Sequence, residues 1–271
     1  MKKVILMIML FLGTSFLASD IDLWKSSTLN KILQRGELRI GLDPGYMPFE
    51  MKDKNGRLIG YDIDMAKKMA KDMGVKLKIV PTDWDGIIAG LLTDKFDIIM
   101  SGMTITQQRN LKISFSNPHI ILGQTLLLNK SLEGKILSAK DLDKKGYKIV
   151  TKLGVTGEIA ARKFFKKAEI QTFERITDAI SEVLNGKADA VIYDKPYNGI
   201  FLANKGKGQL IHLDTPLTYE PLGWAIKKGD ADFMNWLNNF LRQIQEDKVV
   251  GFSDKIYKKW FVETKWLNRV Q

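Results

Sequence analysis

Residues 62–100, DIDMAKKMAKDMGVKLKIVPTDWDGIIAGLLTDKFDIIM, decide the fold. Asp62 and Asp64 favour a helix N-terminus, Ile63, Ala66, Met69, Ala70 and Met73 recur on one helical face, and Gly74 stops the helix. Val75, Leu77 and Ile79 then alternate as a strand. After Pro81, Asp83 can cap a second helix carrying Ile87, Ile88, Leu91 and Leu92, and the apolar run 98–100 has the length and flanks of a buried strand. Upstream, residues 38–41 form a strand that ends in the turn Asp43-Pro44-Gly45. Strand alternating with helix predicts a mostly parallel sheet.

The pattern recurs downstream: strand at 147–151, helices at 158–166 and 177–184, buried strand at 190–193. Leu92, Lys95 and Asp97 fall on Leu184, Lys187 and Asp189 at a constant offset, an internal echo that predicts two similar α/β lobes. The chain leaves the first lobe through the apolar stretch 120–128 and returns through 213–224. Helices at 232–245 and 253–261, rich in Trp236, Phe240, Trp260 and Phe261, are expected to pack back on the first lobe. The expected division is 20–119 and 220–271 for lobe 1, 125–214 for lobe 2, and 120–124 with 215–219 for a two-crossing hinge.

Residues 1–19 are read as a secretory signal peptide. Lys2 and Lys3 precede an apolar stretch over 4–12, and small residues stand at Ala18 and Ser19. The stretch is shorter than the roughly 20 residues a bilayer crossing needs. With no cysteine at the cleavage site, a free periplasmic protein beginning near Asp20 is expected, without a lipid anchor.

The 271 residues, 45% hydrophobic and 27% charged, suit a folded chain of about two domains. The absence of cysteine excludes a disulfide framework and a thiol nucleophile, and His119 and His212 alone leave little for zinc or iron, so no cofactor or metal is expected. The net charge of +11 is scattered in lysine pairs at 67/68, 144/145, 166/167, 227/228 and 258/259. These read as solvated helix faces, and no nucleic-acid partner is expected.

In an open parallel sheet ligands bind beyond the carboxyl ends of the strands, so the residues just after each strand carry the chemistry. Ser101-Gly102-Met103-Thr104-Ile105-Thr106-Gln107-Gln108-Arg109 offers a turn, hydroxyls and a guanidinium, a set suited to a carboxylate. Gly154-Val155-Thr156-Gly157 precedes a helix whose free N–H groups attract an anion; an ordinary tight turn reads the same way. Asp194 ends a buried strand, where an ammonium would compensate its desolvation, as would an internal salt bridge. Asp43, Tyr46 and Trp84 could hold an aliphatic or cationic side chain between two rings, or be rim packing. An acid for an amine, and an arginine with N–H groups for a carboxylate, describe a free α-amino acid.

Over about residues 29–266 the chain resembles the type 3 periplasmic amino-acid-binding proteins of ABC importers. The resemblance is carried by Gly41-Leu42-Asp43-Pro44-Gly45-Tyr46-Met47-Pro48-Phe49, Gly60-Tyr61-Asp62-Ile63-Asp64, the 101–109 segment, and Asp189-Ala190-Val191-Ile192-Tyr193-Asp194. It implies the two-lobed α/β periplasmic binding protein fold of type II, with two crossover hinge strands. It also implies a monomer that closes on a free L-amino acid and delivers it to a membrane permease. Arg109 and the amides of Thr104 and Thr156 would hold the carboxylate; Asp194, the carbonyls around Gly102, including Ser101 and Met103, and the Thr104 hydroxyl would take the ammonium. Val155 departs from the threonine common there. In relatives that bind lysine, arginine or histidine an acid matching Asp43 faces the cationic tip. Related acids occur in glutamine binders too, and Lys152 near the mouth would repel a cation, so a glutamine-like ligand stays open. A third reading is a cyclohexadienyl dehydratase, which on this fold carries a catalytic glutamate three residues beyond the strand-end aspartate. Here that position is Tyr197, whose phenol, with a reference pKa of about 10, is a poor proton donor near neutrality.

Overall fold

The computed structural model describes residues 27–246, 251–263 and 265–270; the expected signal peptide lies outside them. Two five-stranded sheets organise the chain. The first runs in the order Lys76–Pro81, Glu37–Leu42, Ile98–Ile99, Ala225–Ile226, Ser114–Phe115, and the second in the order Glu169–Phe173, Lys148–Lys152, Ala190–Asp194, Gln124–Asn129, Leu210–Leu213. In each, three strands are parallel and are followed by antiparallel pairings. The sheets are therefore mixed rather than mostly parallel. The antiparallel strands come from chain entering or re-entering a lobe from the hinge, which joins the sheet directly instead of through a crossover helix.

The two sheets share one topology. Of the three parallel strands in each lobe, the first lies between the second and the third, so the winding direction reverses between the first and third of them, and a crevice opens at their carboxyl ends. Those ends are Asp43 and Ser101 in one lobe, Lys152 and Asp194 in the other. The sequence echo has a structural basis. Asp97 Oδ2 accepts the Arg39 N–H at 2.8 Å and the Asp97 N–H donates to Arg39 O at 2.9 Å; Asp189 does the same with Lys148 at 2.7 and 2.9 Å. One residue in each lobe thus locks the start of the third strand to the first.

Helices flank the sheets. Tyr61–Met73 ends at Gly74 in the left-handed conformation, as its pattern predicts, while Trp84–Gly86 forms a 3-10 turn before the helix Ile87–Leu92. Asp83 makes no side-chain cap there. In the second lobe Thr156–Phe164 and Ile176–Leu184 start slightly earlier than their patterns suggest. The last helices, Ala231–Glu246 and Phe252–Tyr257, are tied to the first lobe by Trp260, whose Nε1 donates to Asp64 Oδ2 at 2.9 Å. No described helix is long and apolar enough to cross a membrane.

Two crossings lie side by side between the sheets. Ile120–Leu122 pairs antiparallel with Glu220–Leu222, beyond the 215–219 return read from the sequence, and Gln124 N–H donates to Thr218 Oγ1 at 2.9 Å. At Gly123 a Cβ would fall 2.2 Å from Thr218 O, so the closeness of the crossings requires glycine. Trp224 then anchors the return, its Nε1 donating to Asp62 Oδ1 at 3.0 Å.

Asp97 also takes the guanidinium groups of Arg35 and Arg39, whereas Asp189 holds the backbone N–H of Lys148 and has no such pair among the described residues. Asp97→Ala is expected to cost about 2–4 kcal/mol and Asp189→Ala about 1–2 kcal/mol in urea unfolding. Equal costs would remove the arginine pair as the difference between the two locks.

Candidate functional site

The four strand ends meet around one cleft pocket between the lobes. Asp43, Tyr46, Trp84, Ser101, Gly102, Thr104, Arg109, Val155, Thr156 and Asp194 line it, joined by Lys152 and Tyr193. Met103 does not. Its side chain packs in the core with Ile87, Phe96 and Ile113, and its carbonyl accepts the Gly223 N–H at 3.1 Å. The turn is built around its glycine: at Gly102, φ +50°, a Cβ would meet the Tyr46 ring at 2.2 Å.

Arg109 sits on the short helix Gln107–Asn110, capped by Thr106 Oγ1, which accepts the Arg109 N–H at 3.1 Å. Its guanidinium donates to Thr104 O at 2.8 Å and Gly154 O at 3.4 Å and lies 5.2 Å from the Trp84 ring centre. It forms no ion pair among the described residues. Burial lowers its pKa, opposed by the nearby carboxylates of Glu220 and Asp194. A partly desolvated guanidinium with spare donors can accept an anion. Thr104 and Thr156 stand beside it on facing walls, their hydroxyls 3.4 Å apart. Thr156 opens the helix Thr156–Phe164, so its free N–H groups and dipole face the same place. Val155, at the N-cap, brings no hydroxyl.

Asp194 forms the opposite pole. Its carboxylate accepts the Tyr46 hydroxyl and the Gln124 amide, each at 2.6 Å. Burial, helped by repulsion from Glu220, pushes its pKa up to about 7 against those two hydrogen bonds and Arg109. At the third corner Asp43 N–H donates to Ser101 Oγ at 3.0 Å, and its carboxylate is ion-paired with the Lys152 ammonium from the other lobe. Lys152 therefore does not merely flank the mouth; it is a partner of the acid expected to receive a ligand's cation. Tyr46 and Trp84 are held by protein contacts. Tyr46 stacks on Phe49 at 4.7 Å, and Trp84 Nε1 donates to Gly154 O at 3.0 Å across the cleft.

Three contributors escaped the sequence reading. Gln124 orients Asp194; its signal was a polar residue interrupting an apolar run. Glu220, buried in the return crossing, accepts from the hydroxyls of Thr104 at 2.8 Å, Thr156 at 2.5 Å and Thr218 at 2.8 Å, tying both lobes to the hinge. An acid set beside Pro221 in a predicted crossing was the available hint. Tyr193 was read as strand core, yet it lines the pocket as the residue before Asp194.

Residues 38–263 match the family described as bacterial extracellular solute-binding proteins, family 3. A solved structure of a putative ABC-transporter binding component from Wolinella succinogenes DSM 1740, complexed with lysine, is 61% identical, with a TM-score of 0.83 over 86% of this chain and 99% of that one. The L-cystine-binding protein of Escherichia coli strain K12 is 30% identical over 86% of this chain and 85% of its own length. The cyclohexadienyl dehydratase of Pseudomonas aeruginosa is 33% identical over 63% of each chain. The chain thus belongs to family 3 of the bacterial extracellular solute-binding proteins.

The raised pKa of Asp194 has a readable consequence. An ammonium ligand favours the carboxylate, so below about pH 7 binding must expel a proton and affinity falls as pH drops. Calorimetry with an α-amino acid is expected to show at least tenfold weaker binding at pH 5.5 than at pH 8, with proton release, and Asp194→Asn should flatten the profile. A flat wild-type profile would place the ammonium elsewhere.

Proposed function

We propose that this protein captures a free L-amino acid with a basic side chain, lysine foremost, in the periplasm and delivers it as a monomer to the permease of an ABC importer. The observation that carries the reading is one pocket holding an ion-unpaired guanidinium, Arg109, opposite a buried carboxylate, Asp194. A zwitterion satisfies both at once. Its carboxylate meets Arg109, the Thr104 and Thr156 amides and the helix N-terminus; its ammonium meets Asp194. The side chain then runs between Tyr46 and Trp84 toward Asp43. Around the pocket and its hinge wall three acids, Asp43, Asp194 and Glu220, face two cations, Arg109 and Lys152, a balance that favours a ligand of net positive charge. The lysine complex of the 61% identical structure supports the same choice.

The two poles stand on different lobes, so a bound amino acid joins them. Capture begins on the lobe of Arg109, Trp84 and Asp43, and closure of Thr156 and Asp194 over the ligand makes the form that a permease recognises. A glutamine-like ligand is the second reading, because the ammonium of Lys152 already offsets Asp43. The dehydratase reading finds no support at Tyr197. That phenol is buried, stacks on Phe201 and is pushed further above its ordinary pKa by burial, leaving no carboxylic acid where that enzyme class needs one.

A thermal-shift screen against the twenty amino acids is expected to show the largest stabilisation with lysine, since a ligand of the native state stabilises as ln(1 + [L]/Kd). Arg109→Ala should weaken binding by about 2–5 kcal/mol in calorimetry. Near-normal affinity in that variant would remove Arg109 from the site. Asp43→Asn should weaken lysine and spare glutamine; equal losses would overturn the basic specificity.

A further inference from the structure

Asp43 and Lys152 are contributed by strand ends of opposite lobes, and their side chains are only 18% and 12% exposed, so little solvent screens the pair. The contact is one-sided. The Lys152 ammonium takes Asp43 Oδ2, while Oδ1 accepts no hydrogen bond among the described residues. Lys152 is also held from a second direction, its ammonium 5.7 Å from the centre of the Trp84 ring. The pair stands where the inner pocket gives way to an outer recess bounded by Asp83 and Arg175, since both spaces share Asp43, Lys152 and Trp84.

We infer that Lys152 is a specificity residue that favours lysine over arginine by occupying one oxygen of Asp43. The inference rests on the basic-amino-acid reading above and deepens it. A carboxylate with one oxygen engaged still offers the other to a second point charge. An alkylammonium needs one oxygen and can share Asp43 with Lys152. A guanidinium binds a carboxylate best as a fork on both oxygens, and is planar and rigid in that geometry. Arginine must therefore either accept a single contact or drive Lys152 toward the outer recess, breaking a poorly solvated ion pair and its approach to Trp84. The cost falls on one ligand of two that carry the same charge, so it is selectivity by geometry rather than by field.

A plain latch role, in which Lys152 and Asp43 only hold the lobes together, makes a different forecast. Loss of a latch changes the closing equilibrium and moves every ligand by the same factor.

The test is calorimetry with L-lysine, L-arginine and L-glutamine on the wild type, Lys152→Met and Lys152→Gln, the second variant keeping a polar side chain at the cleft so that the comparison is made in a folded protein. The wild type is expected to prefer lysine over arginine at least tenfold, and both variants to shrink that ratio at least fivefold through a larger gain for arginine. A ratio that moves less than fivefold, with all three ligands shifting together, overturns the inference and leaves the latch. A wild type with no preference for lysine over arginine also overturns it. Failure of the wild type to bind either basic amino acid, with glutamine bound instead, defeats the underlying reading as well, and so is told apart from the first result.

Discussion

The structure depends on keeping two opposite charges out of water without letting them neutralise each other. Arg109 has carbonyls and an aromatic ring for neighbours but, among the described residues, no carboxylate in ion-pair contact, and Asp194 is buried deeply enough to hold its proton up to about neutrality. Either group alone is costly to desolvate. The fold bears that cost by fixing each on its own rigid wall, Arg109 behind a capped turn and Asp194 at the end of a fully buried strand supported by Gln124 and Tyr46. The remaining polar groups follow from that separation: Thr104 and Thr156 meet near the guanidinium, and Glu220 links both to the hinge.

Topology supplies the separation. Each lobe reverses its winding between its first and third strands, and the reversal leaves their carboxyl ends free of crossover chain. Two lobes with the same strand order, joined by crossings close enough that Gly123 admits no side chain, turn those ends toward each other. The matched roles of Asp97 and Asp189 keep the ends in equivalent places. Opposed walls on two lobes around one cleft suit a family of solute-binding proteins.

Much of this was legible in the sequence because it is local. The period of 62–73, the stop at Gly74 and the buried run before Ser101 place a strand end without knowledge of its neighbours, and the same holds for Asp194. What depended on distant partners was not legible. Met103 belongs to the core because its direction is set by the turn around Gly102. Lys152 looked like a repulsive neighbour until its partner, Asp43, was placed against it from the other lobe. Gln124 and Glu220 act on residues far along the chain, and the antiparallel strands that make the sheets mixed come from the crossings, whose pairing no local pattern encodes.

The central claim is that both ends of an α-amino acid are recognised at once by opposed charges. Calorimetry comparing lysine with its Nα-acetyl and α-carboxamide derivatives tests it most directly, since each removes one main-chain charge and leaves the side chain intact. At least a hundredfold loss of affinity is expected for both derivatives. Binding of either one within tenfold of lysine would contradict it.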